Sequence, residues 1–262
     1  MIKYIRVFGE FFRVCLVEEF EYRVNFIANL LTTLFWMAIS VITVKLYFYN
    51  TDQIGGWSYD EVLVLLGVFI SIHGFIEFFL QPNMTRFVSH IRKGTFDYIL
   101  TKPIDAQFHV SFRHLVFWRL FDVALGMGLV YYALWRLDVT LSFGQLCIFL
   151  TMFLASLCMM YSLWMGMMIL SFWAVKIDNL SFLFHSLFET SRFPVTVYQG
   201  VLRFILTYVF PIGLITTFPA SSVIGQMTRN EALLSVMMAG ICVIMARWFW
   251  RYALKHYTSA SS

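Results

Sequence analysis

Between Asp138 and Lys176 the chain carries no charged residue, and most of that stretch is continuously apolar. About twenty such residues in a helix, at 1.5 Å each, cross the roughly 30 Å of hydrocarbon in a bilayer. The run therefore reads as a membrane span. Composition extends the point to the whole chain, with 60% hydrophobic residues, 13% charged residues and 29 Phe. The 19 basic and 15 acidic side chains cannot cover the surface of a 30.7 kDa globule, so a soluble enzyme is excluded on solvation grounds. A porin-like barrel needs segments of alternating polarity, whereas these runs are unbroken. Helices remain, because hydrocarbon forces each segment to satisfy its own backbone polar groups.

The expected fold is an all-α integral membrane protein of six transmembrane helices in a single domain. The spans are expected at Phe26 to Phe48, Glu61 to Leu80, Leu115 to Trp135, Gln145 to Trp173, Val195 to Phe218 and Glu231 to Trp250. The fifth is interrupted by Pro211, Gly213 and Pro219, so its outer part reads as a broken or re-entrant helix. The first run follows Glu10, Glu18, Glu19 and Glu21 and exceeds a signal peptide's apolar core, which makes it an anchor. Cys147, Cys158 and Cys242 sit inside apolar runs and, with Cys15, read as packing residues outside any disulfide framework.

Basic residues set the orientation. With the N-terminus cytoplasmic, the inner side holds Lys3, Arg6, Arg13, Arg23, Arg86, Arg92, Lys93, Lys102, Arg113, Lys176, Arg192, Arg203, Arg247, Arg251 and Lys255, which is 15 of 19. Only Lys45, Arg136 and Arg229 fall outside, and Arg119 lies within the third span. Both termini are therefore expected in the cytoplasm. The net charge of +4 reflects this topology; it identifies no substrate, and no nucleic-acid partner is expected.

Two segments outside the spans carry pattern. In residues 1–24, Lys3, Arg6, Glu10, Arg13 and Glu21 share one helical face, and Ile5, Phe8, Phe12 and Leu16 another. That predicts an amphipathic helix lying on the inner leaflet. The inner loop 82–114 is expected to start a helix capped by Asn83, running to Lys93 and stopped by Gly94. Arg86, Arg92 and Lys93 supply charge, and Phe87, Val88 and Ile91 supply apolar surface, so the segment reads as a docking element. The alternative is that its charges only enforce topology and bind anionic headgroups.

Chemistry-bearing motifs are sparse. No Gly-x-x-x-x-Gly-Lys-Ser/Thr phosphate loop exists, and Arg92-Lys93-Gly94-Thr95 has the wrong order. No nucleophile elbow, His-Glu-x-x-His or zinc-spaced cysteine pair occurs either. An enzymatic role is therefore not expected. Ionisable residues inside spans stand out because each is costly there. His73 and Glu77 share a helical face and can hydrogen-bond, either as a substrate route or proton relay or as a packed, mutually satisfied pair. Arg119 and Asp122, three apart, can neutralise each other. Asn25 and Asn29 either bond across a helix interface or line a pore entrance. The aromatic residues and the methionines of span four fit ordinary helix packing as well as a hydrophobic-substrate cavity.

The inner-loop stretch Ile91-Arg92-Lys93-Gly94-Thr95-Phe96-Asp97-Tyr98-Ile99-Leu100-Thr101-Lys102-Pro103-Ile104-Asp105 resembles the permease subunits of type-2 ATP-binding-cassette exporters, in the bacterial branch with viologen and multidrug exporter permeases. A second likeness runs through Arg192-Phe193-Pro194, Tyr198, Gly200, Arg203, Pro211-Ile212 and Phe218-Pro219-Ala220. The resemblance implies a bacterial inner-membrane half-transporter that works with two copies of a separate ATPase, where ATP and Mg would bind, and with a second permease, the same chain or a relative. It maps the family's coupling helix onto about Asn83 to Lys93, with Arg86, Phe87, Ile91, Arg92, Lys93 and Gly94 at the contact. It fixes no substrate residue; Asn29, His73 and Glu77 are the candidates for the path. The competing reading is a proton-coupled secondary transporter using His73 and Glu77.

Overall fold

The computed structural model describes residues 2–21, 23–173 and 178–257. Lys176 and the tail from Thr258 to Ser262 lie outside the described residues, as do the side chains of Arg23 and Asn25. The described residues are helical with no strand, and five helices are long and apolar enough to cross a membrane.

Helix α1 (Ile2–Glu21) leads into α2 (Arg23–Tyr47). Helix α3 (Tyr59–Phe75) runs through one π-helical turn (Ile76–Leu80) into α4 (Gln81–Arg92) without interruption. The short α5 (Asp97–Leu100) and α6 (Ala106–Phe112) follow, and a 3-10 turn (Phe117–Arg119) opens α7 (Leu120–Arg136). Helix α8 (Phe143–Ile169) precedes α9 (Asp178–Glu189), α10 (Gly200–Phe204), which extends through a π turn (Ile205–Val209), α11 (Ile212–Ile224) and α12 (Arg229–Lys255).

Three of the long helices begin with the same signal. Glu61 reaches back to the Ser58 N–H (2.7 Å), Gln145 to the Ser142 N–H (2.9 Å) and Glu231 to the Thr228 N–H (2.7 Å), each satisfying an amide that the helix start leaves free. These starts gather at one end of the bundle, where Gln226 donates to Glu61 and Arg136 pairs with Asp60 at 3.2 Å. The two termini sit at the other end: Tyr4 packs on Phe108 and Tyr257 on Phe96. The core lies along α3, which packs on α7 through small residues. A Cβ on Gly67 would stand 2.6 Å from the Gly126 carbonyl oxygen, so only glycine permits this approach.

The α3–α4 rod, Tyr59–Arg92, has 34 residues, or about 51 Å at 1.5 Å per residue. Roughly 20 Å of it stands clear of a 30 Å hydrocarbon layer. Asn83 therefore does not cap a new helix, contrary to the sequence expectation. It is buried, donates to the carbonyls of Phe79 and His114 (both 2.6 Å) and accepts from the His114 N–H (2.9 Å). Pro82 is accommodated because the Phe78 carbonyl, which a proline cannot serve, accepts the Val116 N–H at 2.9 Å. Gly94, at φ +66°, takes the left-handed conformation just past the rod's end.

The fifth crossing is not the segment Val195 to Phe218. At the termini end, Trp173 stacks on Phe249 (5.8 Å); at the far end, Phe193 packs on Tyr47 (5.4 Å) and Thr196 donates to the Gly55 carbonyl (2.6 Å). The chain has already crossed the bundle between these points, and α9 lies on that path. Its Phe188 stacks on Phe69 at 4.8 Å. The helices over Gly200–Val209 and Gly213–Ile224 then bend by 84° and return to the far end, where Gln226 meets Glu61. They form a re-entrant hairpin broken at Phe210 and Pro211. Hydropathy sums the hairpin's two apolar arms into one apparent span. It passes over α9, whose sequence includes Asp178, Asn179, His185 and Glu189. Arg192 and Arg203 consequently leave the termini end, where the sequence expectation had put them.

This topology gives a direct test. In a cysteine-free background, Gln199→Cys and Thr101→Cys should react with a membrane-impermeant thiol reagent from opposite sides of the membrane. Labelling of both from one side would restore Val195 to Phe218 as the fifth crossing.

Candidate translocation pathway

Arg119, at the start of α7, joins three helices. It pairs with Glu77 in the π turn of the α3–α4 rod (3.1 Å) and with Asp122 one turn further along α7 (3.1 Å). Asp122 accepts from the Thr33 hydroxyl of α2 (2.8 Å), and the guanidinium lies 3.9 Å from the Trp118 ring centroid. Two carboxylates share one cation, so the formal charge of the cluster is a single negative one. The π turn is where α3 presents Glu77, in keeping with the tendency of such turns to fall at functional positions.

His73 makes no hydrogen bond to Glu77, contrary to the sequence expectation, and Oε2 of Glu77 pairs with Arg119 instead. Its ring stacks at 21° to Phe188 of α9 (6.3 Å) and tilts over Phe69 (6.2 Å). His185 of α9 points the same way, set edge-on to Trp164 at 5.2 Å. One ligand atom from each of His73, Glu77 and His185 lies within 4.8 Å of the others. Just beyond, Arg192 pairs with Glu189 (2.8 Å) and covers the Phe69 ring (5.1 Å).

Two cavities open beside this seam. One, of about 370 Å³, lies between α2 and α3, α7 and the end of α9, and is lined among others by Asn29, Trp36, His73, Arg119, Asp122 and Arg192. The second, of about 270 Å³, lies toward the termini end between α1, α4 and the start of α7, with Glu18, Arg86 and His114 in its wall. Asn29 and Trp118 line both. The two therefore adjoin at a shared polar and aromatic wall between the termini end and the middle of the bundle. Asn29 and His73, two of the three path candidates, line these cavities; Glu77 touches them through Arg119.

At the termini end, α1 is docked as well as amphipathic. Phe8 packs on Phe112 and Phe12 on Phe117, while Glu19 accepts the N–H groups of Phe117 and Trp118 (both 2.6 Å), an anion at a helix start. Ile5 and Val17 stay exposed. The expected docking helix divides likewise. Arg86, Arg92 and Lys93 are exposed, but Phe87 is buried against Phe96, Phe172 and Trp250, and Ile91 is half-buried against the core, so neither is free for a partner's groove. The exposed apolar groups at this tip are Tyr98, 73% accessible, and Leu100. Polar contacts tie the tip to the bundle: Asp105 binds Arg247 at 2.8 Å, and Lys102 meets the buried His109 at 2.9 Å. Burial, with Lys102 and Arg113 nearby, pushes His109 down to about 4, so its ring is neutral and accepts that hydrogen bond. Burial raises Asp105, but hydrogen bonds from Arg247 and the Phe108 N–H outweigh it and hold the carboxyl below its ordinary value.

The sequence reading missed His185, Glu189 and Thr33 as site residues. The signal for the first two was present: Ser181, His185, Glu189 and Arg192 recur at helical spacing through a phenylalanine-rich stretch.

Removing the shared cation should leave two buried carboxylates facing each other. Arg119→Gln is expected to destabilise the purified protein by about 3 kcal/mol, with partial recovery in the triple variant Arg119→Gln, Glu77→Gln, Asp122→Asn. Reversible unfolding in detergent checks this, and a loss below about 0.5 kcal/mol would show that the cluster is solvated.

Long apolar helices with polar cavities between them define a multi-pass all-α membrane protein. The family model described as ABC-2 family transporter protein matches residues 34–261, and the chain belongs to that family. It is thus a membrane transport component of the permease kind. No curated protein and no solved structure matches it.

Proposed function

We propose that this chain is the membrane-spanning permease of an ATP-driven exporter in a bacterial inner membrane, with both termini cytoplasmic. The observation that carries the reading is the family match over residues 34–261. It is supported by the basic asymmetry of the termini end and by a sequence without a phosphate loop. Two copies of a separate ATPase would bind ATP and Mg and drive transport, and a second permease, identical or related, would complete the path. The cavities lined by Asn29, Trp118 and His73 would be this chain's share of that path, with hydrolysis left to the partner.

The coupling surface is assigned to the exposed tip, namely Arg86, Arg92 and Lys93 at the end of the rod and Tyr98 to Pro103 beyond Gly94. A displacement at this tip is transmitted to Glu77 along one continuous helix, a contiguous and stiff connection. An exposed aromatic ringed by cations is the composition of a protein contact. Tyr98→Ala, and separately the pair Arg92→Glu and Lys93→Glu, should each weaken co-purification with the ATPase encoded alongside, by about tenfold in affinity. Thermal stability in detergent should not change. Full ATPase binding and full transport by both variants, correctly inserted, would refute the coupling assignment; transport by this chain alone in liposomes, driven by a proton gradient, would replace the reading with a secondary transporter.

A further inference from the structure

The His73, Glu77 and His185 cluster does not follow from a transport role alone. Two imidazoles and a carboxylate converge from α3, its π turn and α9, with ligand atoms within 4.8 Å of one another. In a tetrahedral zinc site bond lengths of about 2.0–2.2 Å set ligand atoms roughly 3.4 Å apart, so side-chain rotations of about an ångström close the set. Neither imidazole has a hydrogen-bond partner among the described residues. Both are held instead by rings, His73 by Phe69 and Phe188 and His185 by Trp164. A neutral imidazole fixed by packing, with an unused nitrogen lone pair, is a ready ligand.

The obvious objection is Arg119, a cation 3.1 Å from Glu77. It is shared with Asp122 at 3.1 Å, so its charge is offset by a second carboxylate and not by Glu77 alone. Arg119 engages Oε2 of Glu77 and leaves the other oxygen for coordination. A ligand carboxylate oriented by a hydrogen bond from behind is the usual second layer of a metal site. His73 also lines the 370 Å³ cavity, which gives a fourth position access to water.

We propose that His73, Glu77 and His185 bind a divalent transition-metal ion of the zinc class. Two nitrogen donors and one oxygen favour zinc and its neighbours over magnesium or calcium, which need more oxygen ligands. Bound there, the ion ties the polar crossing α9 to the π turn of α3, and through Arg119, Asp122 and Thr33 to α7 and α2. This goes beyond the transport reading and does not depend on it.

The test uses the full chain purified on a histidine-free tag. After exposure to excess zinc and gel filtration, elemental analysis should give one zinc per chain, and cobalt(II) should give the intense visible absorption of a tetrahedral site. His73→Gln and His185→Gln should each lower affinity at least about a hundredfold, while Arg119→Gln lowers it about tenfold; His256→Gln, remote from the cluster, should have no effect. Should His73→Gln fail to fold, His185→Gln decides alone. No retained zinc in the wild-type chain, or zinc retained equally by both histidine variants, overturns the proposal. Neither result bears on ATPase coupling.

Discussion

The arrangement depends on how one arginine is neutralised inside an apolar bundle. Arg119 stands where α2, the α3–α4 rod and α7 meet, and it is tolerable there only because Glu77 and Asp122 flank it at 3.1 Å and Thr33 completes the shell of Asp122. A buried charge left alone would cost several kcal/mol. The three helices are therefore tied together at this level by electrostatics, in addition to the close α3–α7 packing around Gly67 and Gly126. The same requirement keeps polar atoms beside a cavity.

A second consequence follows from the rod. Because α3 continues past the hydrocarbon as α4, the position that carries Glu77 and the tip that carries Lys93 belong to one helix. The tip's own packing is largely aromatic, with Phe87, Phe96, Phe172, Trp250 and Tyr257 in mutual contact, and such a cluster resists bending. Movement imposed on Tyr98 or Lys93 would thus reach the seam with little loss.

Much of the fold was legible in the sequence because its determinants are local. Unbroken apolar runs gave the long helices, and Gly94 announced the end of the rod. Arg119 with Asp122 was legible for the same reason, at a spacing of three. What escaped was set by tertiary contact. Asn83 reads as a cap until Pro82's missing donor is served by Val116 from another segment. Phe87 reads as a docking residue until the far-removed Trp250 covers it. Helix α9 reads as a loop because its His185 and Glu189 are polar, although Trp164 of α8 packs on the first and Arg192, just past the helix, pairs with the second. A crossing that carries polar residues is invisible to any window that averages hydropathy.

The central claim is that the face of α2 carrying Asn29, Thr33, Trp36 and Ser40 borders an aqueous route while its opposite face meets apolar surroundings. Single cysteines at Thr33 and Ser40, and at Phe35 and Ile42 on the other face, in a cysteine-free chain reconstituted in liposomes, measure this through the rate of reaction with a small charged thiol reagent. The account predicts rapid modification at Thr33 and Ser40, and little at Phe35 and Ile42, since such reagents do not enter hydrocarbon. Equal rates on both faces, or the faster rates at Phe35 and Ile42, would contradict it.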